Sequence, residues 1–195
     1  IADGRIERIG PLSELEEAYT FSRKLEGTGC IYMPGLVDSH MHTGQQLLRG
    51  RVLDAMPMIW TRIMLPFEST LTPELMRLSA QLAALDMIQS GTVGFIDAGS
   101  YHMAAAAEVY LESGLRGALS CSTMDQKGLP ESIAMDWKEA IRQTDELYDG
   151  FHGKGCLKVY YSLRSLISCS RELMEAAAER ARERDTMLQA HMNEY

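Results

Sequence analysis

Two histidines one residue apart, His40 and His42, close the run Asp38-Ser39-His40-Met41-His42 behind an apolar stretch. If that stretch is a strand, alternate residues face one side, so both imidazoles point the same way. Two neutral imidazoles make half a site for Zn²⁺ or Fe²⁺. Such a pair is common without a metal; its place at the end of a buried strand gives it weight. A second cluster, His191-Met192-Asn193-Glu194, follows the apolar run Thr186 to Ala190. His191 is then a third metal ligand, supplied by a different strand, and Glu194 faces the metal-bound water. Bound zinc lowers the pKa of its water from about 16 to about 7. The resulting hydroxide can attack an electrophilic C=N or C=O carbon, while a carboxylate such as Glu194 carries a proton to a ring nitrogen or leaving group.

Elements that could bring these groups together are legible along the chain. Cys30 to Val37 reads as a buried strand. Residues 73–90 form the clearest helix: Thr72 caps it, Pro73 suits its first position, Glu74 complements its dipole and Gly91 ends it. Leu75, Leu78, Leu82 and Leu85 recur at helical spacing and predict its buried face. Thr92 to Ala98 is a strand, His102 to Ser113 a helix closed by Gly114, and Leu115 to Ser122 a strand. A helix over 131–149, a strand from Cys156 to Leu163, a helix over 170–184 and a strand from Thr186 to Ala190 follow. Alternating strands and helices predict a parallel sheet covered on both faces. A (β/α)8 barrel and an open doubly wound sheet both fit that alternation. No Gly-rich phosphate loop follows any strand, which weakens the nucleotide-binding version. A full barrel takes about 250 residues, so these roughly five strands are the N-terminal portion of one, residues 31–195. Its C-terminal mouth is where a barrel holds catalytic groups. Residues 1–30 read as part of a small β-sandwich with a linker: Ile1 to Gly10 has strand character around Asp3-Gly4, and 11–29 is mostly loop.

Composition narrows the partners. The net charge of −8 and the lack of a basic stripe argue against nucleic acid and for a small molecule. No apolar run approaches the roughly 18 residues of a membrane span. Four cysteines without a C-x-x-C pair read as reduced thiols in a cytoplasmic protein. The first residue is Ile1, so the true N-terminus is expected upstream.

The run Pro34-Gly35-Leu36-Val37-Asp38-Ser39-His40-Met41-His42 resembles the first-strand signature of the amidohydrolase superfamily. Gln45-Gln46-Leu47-Leu48-Arg49-Gly50, Leu65-Pro66-Phe67-Glu68, Leu71-Thr72-Pro73-Glu74 and His191-x-x-Glu194 narrow the resemblance. They point to the branch of methylthioadenosine/S-adenosylhomocysteine deaminases, guanine deaminases and triazine hydrolases. The resemblance implies a (β/α)8 barrel and one divalent metal, zinc with iron(II) as the alternative, on His40, His42 and His191. It implies Glu194 as the proton shuttle, Glu68 on ribose hydroxyls, Gln45 on the base, Trp60 stacked on a ring and His102 lining the pocket. Arg164 stands where adenosine-type members carry a histidine and resembles the guanine deaminase arginine that grips the base carbonyl. Ser165 replaces the phenylalanine expected next, and the arginine of adenosylhomocysteine-type enzymes is missing near Cys121-Ser122-Thr123. A later histidine, a metal-binding aspartate and the other half of the sandwich belong to the family pattern but not to this sequence.

The expected activity is hydrolytic deamination of a purine-like heterocycle, in an enzyme that resemblance suggests is a homodimer. Two alternatives stand beside it: a triazine chlorohydrolase-like reaction at the same centre, and a truncated, non-catalytic binding protein.

Overall fold

The computed structural model describes residues 1–52 and 58–193. Contacts divide the chain into two units, Ile1–Pro34 and Gly35–Tyr195.

In the first unit, Ala2 and Arg5 form one antiparallel bridge around Asp3 and Gly4, both at positive φ. The stretch expected to be loop contains a helix, α1 (Leu12–Ala18), none of whose residues is buried. Good helix formers after the fixed φ of Pro11 account for it.

Among the described residues the second unit holds six short strands. β1 (Leu36–Met41), β2 (Thr92–Asp97), β3 (Arg116–Leu119) and β4 (Leu157–Val159) form one sheet in that order, with every pair parallel. β5 (Tyr161–Leu163) and β6 (Leu188–Ala190) form a second parallel pair. The strand read as Cys156 to Leu163 breaks at Tyr160: its first half pairs with β3 and its second with β6. Strand order follows chain order without the reversal of a doubly wound sheet. The fold is therefore α/β, the leading five strand positions of a (β/α)8 barrel.

β1 begins at Leu36, later than expected, because Pro34 offers no N–H to a ladder; pairing opens with Leu36 N donating to Gly91 O at 3.0 Å. Nor is β1 buried. Among the described residues it pairs with β2 alone, and only Met41 is buried.

Helices join the strands. A π-helical turn (Trp60–Met64) runs into α2 (Leu65–Glu68), and α3 (Pro73–Ser90) carries the expected caps: Thr72 accepts from Leu75 N and Gly91 is left-handed. Its buried face is not the leucine stripe. Met76, Ser79, Ala80, Ala83, Ala84 and Met87 are buried, while Leu75, Leu78 and Leu85 are exposed and Leu82 is intermediate. The small side chains of Ser79, Ala80, Ala83 and Ala84 let α3 approach α4 (Met103–Ser113), which answers with Ala106, Ala107 and Tyr110. Close approach, not side-chain size, decides which stripe packs.

Between β3 and β4, the helix read over 131–149 resolves into a 3₁₀ turn (Glu131–Ile133) and α5 (Trp137–Phe151), capped by Asp136 on Glu139 N. α6 (Arg171–Glu183) connects β5 to β6 and is capped by Ser170. Phe95 and Tyr110, ring centroids 4.4 Å apart, sit in the main core, and Tyr161, Leu163 and Leu173 in the next. All four cysteines are free, and among the described residues no helix is long and apolar enough to cross a membrane.

Candidate active site

Strand alternation places His40, inside β1, and His42, just past its end, on one side of the sheet. His191 follows β6 directly. The three rings meet: centroids lie 5.2 Å (His40–His42), 5.0 Å (His40–His191) and 5.1 Å (His42–His191) apart. One nitrogen of each falls within 4.8 Å of the others.

His42 is held most firmly. Its Nδ1 lies 3.0 Å from the carbonyl of Gly99. A carbonyl only accepts, so Nδ1 carries the hydrogen and Nε2 presents a lone pair inward. Nε2 of His42 is 3.1 Å from Nε2 of His191. Two ligand nitrogens on one tetrahedral zinc, at about 2.0–2.1 Å each, stand roughly 3.3 Å apart. Spacing, tautomer and an all-imidazole donor set therefore fit a divalent cation of the zinc type. Burial, and next the charge of Arg164, push the His42 pKa down to about 3, keeping the ring neutral as a ligand must be.

Behind His42 stands a residue that the sequence did not announce. Asp97, fully buried at the end of β2, accepts from Thr43 N through Oδ2 and from Gly99 N through Oδ1, both at 2.8 Å. One carboxylate thus fixes the residue after His42 and the residue whose carbonyl orients its ring. Burial raises the Asp97 pKa to about 6 against the pull of those two N–H groups. Gly99 has φ +113°, and a Cβ there would meet Cys121 O at 3.0 Å and Ser122 Cα at 3.1 Å. The available signals were an acid ending an apolar run and the glycine two residues on. On the His191 side, Gln189 donates from Nε2 to Asp97 O (2.7 Å) and Ser120 Oγ (2.5 Å), tying β6 across to β2 and β3.

The histidines border a cavity of about 210 Å³, lined also by Gln45, Trp60, Met64 and Arg164. The Arg164 guanidinium lies 5.7 Å from the Trp60 ring centroid. Its Nη1 stands 3.4 Å from His42 Nδ1; since that nitrogen's hydrogen is engaged by Gly99, the approach is a charge beside a ring. Nη2 donates to Glu68 Oε1 at 3.3 Å, and both side chains are almost wholly buried. Gln45 donates to the same oxygen at 2.6 Å. Glu68 is not among the lining residues: it sits behind Gln45 and Arg164. Two buried polar atoms beside this pair, Glu68 Oε2 and Trp60 Nε1, lack a partner among the described residues. Burial pushes the Tyr101 phenol up to about 12.

The structure thus gathers His40, His42, His191, Gln45, Trp60 and Arg164 around one cavity and sets Glu68 behind its wall. His102 does not join them. It precedes α4 in a left-handed conformation, and its Nε2 lies 3.0 Å from the Leu71 carbonyl, which anchors it to the loop before α3. Glu194 lies outside the described residues.

Comparison with known proteins agrees with this arrangement. The profile described as "Amidohydrolase family" matches residues 31–195. A 5-methylthioadenosine/S-adenosylhomocysteine deaminase of Thermococcus kodakarensis is 32% identical over 171 residues, covering 87% of this chain and 39% of the relative. A crystal structure of guanine deaminase from C. acetobutylicum, with guanine in its active site, superimposes with a TM-score of 0.75 at 21% identity, over 81% of this chain and 39% of that one. An adenosine deaminase from Xanthomonas campestris with bound zinc gives 0.73 at 25% identity, over 82% and 36%. The chain spans about two fifths of the length of the curated relatives it matches. With a profile match across the whole barrel portion, a parallel sheet in barrel order and three imidazoles at the strand ends, the chain belongs to the amidohydrolase family.

Proposed function

We propose that this chain supplies the metal-binding portion of a deaminase that hydrolyses an amino group from a purine-like N-heterocycle and releases ammonia. The observation that carries the reading is the convergence of three imidazoles from two separate strands on one point at the edge of a small cavity. That cavity is smaller than the about 300–1,000 Å³ typical of drug-sized ligands, in keeping with a heterocycle of one or two rings. The named activities of the relatives support the same choice.

In this reading His40, His42 and His191 hold one divalent ion, zinc in preference to iron(II). Such an ion supplies a hydroxide nucleophile at neutral pH by lowering the pKa of its water to about 7. Glu194 moves a proton to the ring nitrogen beside the reacting carbon, Trp60 covers the ring, and Gln45 and Arg164 fix its polar edge. His102, engaged with Leu71, receives no role. We further read the protein as a cytoplasmic enzyme with reduced thiols, homodimeric, and without nucleic-acid or membrane partners; the acidic charge supports the lack of a nucleic-acid partner and the four free cysteines the reduced thiols, while the dimer is carried by the family resemblance alone.

The test is expression from the complete reading frame, metal analysis of the purified protein, and a screen for ammonia release from purines, pterins and triazines. About one zinc per chain with ammonia from a purine-like substrate is expected. Protein without bound metal, and without ammonia from any of these compounds, overturns the reading. Release of chloride or an amine instead reassigns the leaving group.

A further inference from the structure

Among the described residues no ladder joins the β5–β6 ribbon to the four-stranded sheet. Yet His191 follows the ribbon, while His40 and His42 lie on and just past β1. Strand pairing therefore does not set the distance of His191 from the other two. Two side chains of the ribbon supply a link. Ser162 and Gln189 are register partners, so they share a face, and they reach consecutive carbonyls at the end of β2. Ser162 Oγ donates to Ala98 O at 3.0 Å, and Gln189 Nε2 donates to Asp97 O at 2.7 Å and to Ser120 Oγ at 2.5 Å.

Residues 97–99 hold the other two histidines in turn. Ala98 N donates at 2.8 Å to the carbonyl of Met41, the residue between His40 and His42. The Asp97 carboxylate takes Thr43 N, and the Gly99 carbonyl takes the His42 ring. One three-residue segment thus faces the His-x-His pair with three groups and the ribbon with two carbonyls. Alternation puts His191 on the same side as Gln189, two residues earlier. Ser162, Ser120 and Asp97 are all buried, where a polar group left without its partner is costly.

We propose that Ser162 and Gln189 are positioning residues that fix how far His191 stands from the His-x-His pair, and so preset the metal centre. His42 Nε2 and His191 Nε2 already stand 3.1 Å apart, close to the span that two ligands take on one tetrahedral ion. Neither Ser162 nor Gln189 lines the cavity with the histidines, so each acts through the strand that it ties. Without these ties the ribbon settles with no reference to β2, and metal binding must draw the ligands together at a cost in affinity. This inference rests on reading the three histidines as a metal centre.

Gln189→Met keeps the length of the side chain and removes both of its donated bonds; Ser162→Ala removes one more. Zinc affinity of the full-length protein is measured by competition with a chromophoric chelator. Each variant is expected to bind zinc about tenfold more weakly than wild type, and the two together about 100-fold, the range for groups that orient metal ligands. Ser162→Ala serves alone if Gln189→Met does not fold. Leu147→Ala, a cut in the main core on α5, should lower stability in urea and leave zinc affinity unchanged. Cobalt(II) in place of zinc reports the geometry of the ligands. Its visible ligand-field band is expected to shift in Gln189→Met and Ser162→Ala and to stay in place in Leu147→Ala. Variants that bind zinc as wild type does, a cobalt band that neither variant moves, or an equal loss of affinity in Leu147→Ala overturns the proposal and leaves the metal reading intact. A wild type that binds no zinc overturns both.

Discussion

The two sides of the cavity are built in opposite ways. Around His42 the backbone is wired closed: Asp97 takes the N–H groups of Thr43 and Gly99, Gly99 takes the ring N–H, and Ser79 Oγ donates to Thr43 O at 2.6 Å. On the side of Trp60 and Arg164, Glu68 Oε2 and Trp60 Nε1 are buried without partners among the described residues. A ligand nitrogen must sit within a fraction of an ångström of one place, so rigid hydrogen-bonded strand ends suit it. Unmatched polar atoms beside a cavity suit a surface completed by what it binds. Rigidity and incompleteness are thus divided between the sides, the first at the histidine cluster and the second beside Trp60 and Arg164.

The sharpest way to break the contrast is to remove a ligand. His42→Ala is expected to cut zinc affinity by more than about 100-fold, the upper range for removing a group that merely orients a ligand; metal analysis after dialysis reads it. A variant that keeps stoichiometric zinc would detach His42 from the centre. Next in size is Glu68→Ala, which strands the Arg164 guanidinium in a nearly sealed position. Loss of one partner of a buried pair costs about 3–5 kcal/mol, read as a drop in unfolding free energy in urea. A change under about 1 kcal/mol, the range of an exposed pair, would mean that the wall rearranges freely.

The wired side has its own signature in pH. The Asp97 pKa is raised in the folded protein, chiefly by burial, from 3.8 to about 6. A raised carboxyl favours folding while protonated, so its contribution is fully present below the unfolded value and is lost as pH rises through about 6. In metal-free protein the stability of wild type relative to Asp97→Asn should therefore fall by about 2 kcal/mol between pH 4 and pH 7. A difference that stays flat across that window would refute the burial argument. Smallest is the test of the two stripes on α3. Leu78→Ala, on the exposed stripe, should shift stability within about 0.5 kcal/mol. Ala83→Leu, where α3 packs closely, should cost about 1–3 kcal/mol. Equal effects would restore the leucine face as core.

Much of this was readable before any coordinates. Thr72, Gly91 and Gly114 mark their helix ends by local chemistry, and the His-x-His spacing carries its own geometry because strand alternation is fixed. The misses have a common cause. Which stripe of α3 packs depends on how closely α4 comes, and the break at Tyr160 depends on β3 and β6 competing for one strand. Asp97 holds Thr43, 54 residues away, and His102 holds Leu71, 31 residues away; no local spacing encodes either partner. Glu68 was noticed by type and motif, but its station behind Gln45 and Arg164 is a fact of three dimensions.

The β5–β6 ribbon ends on the pair Leu163↔Ala190, and the next residue along each strand is Arg164 and His191. Arg164 and the third imidazole are therefore the two prongs of a single fork. If the fork moves against the rest of the sheet, both prongs travel together and the span between them is preserved. A slip of one residue between its two arms would change that span by about 3.3 Å, so the register of the ribbon gauges the distance between the guanidinium and the third imidazole.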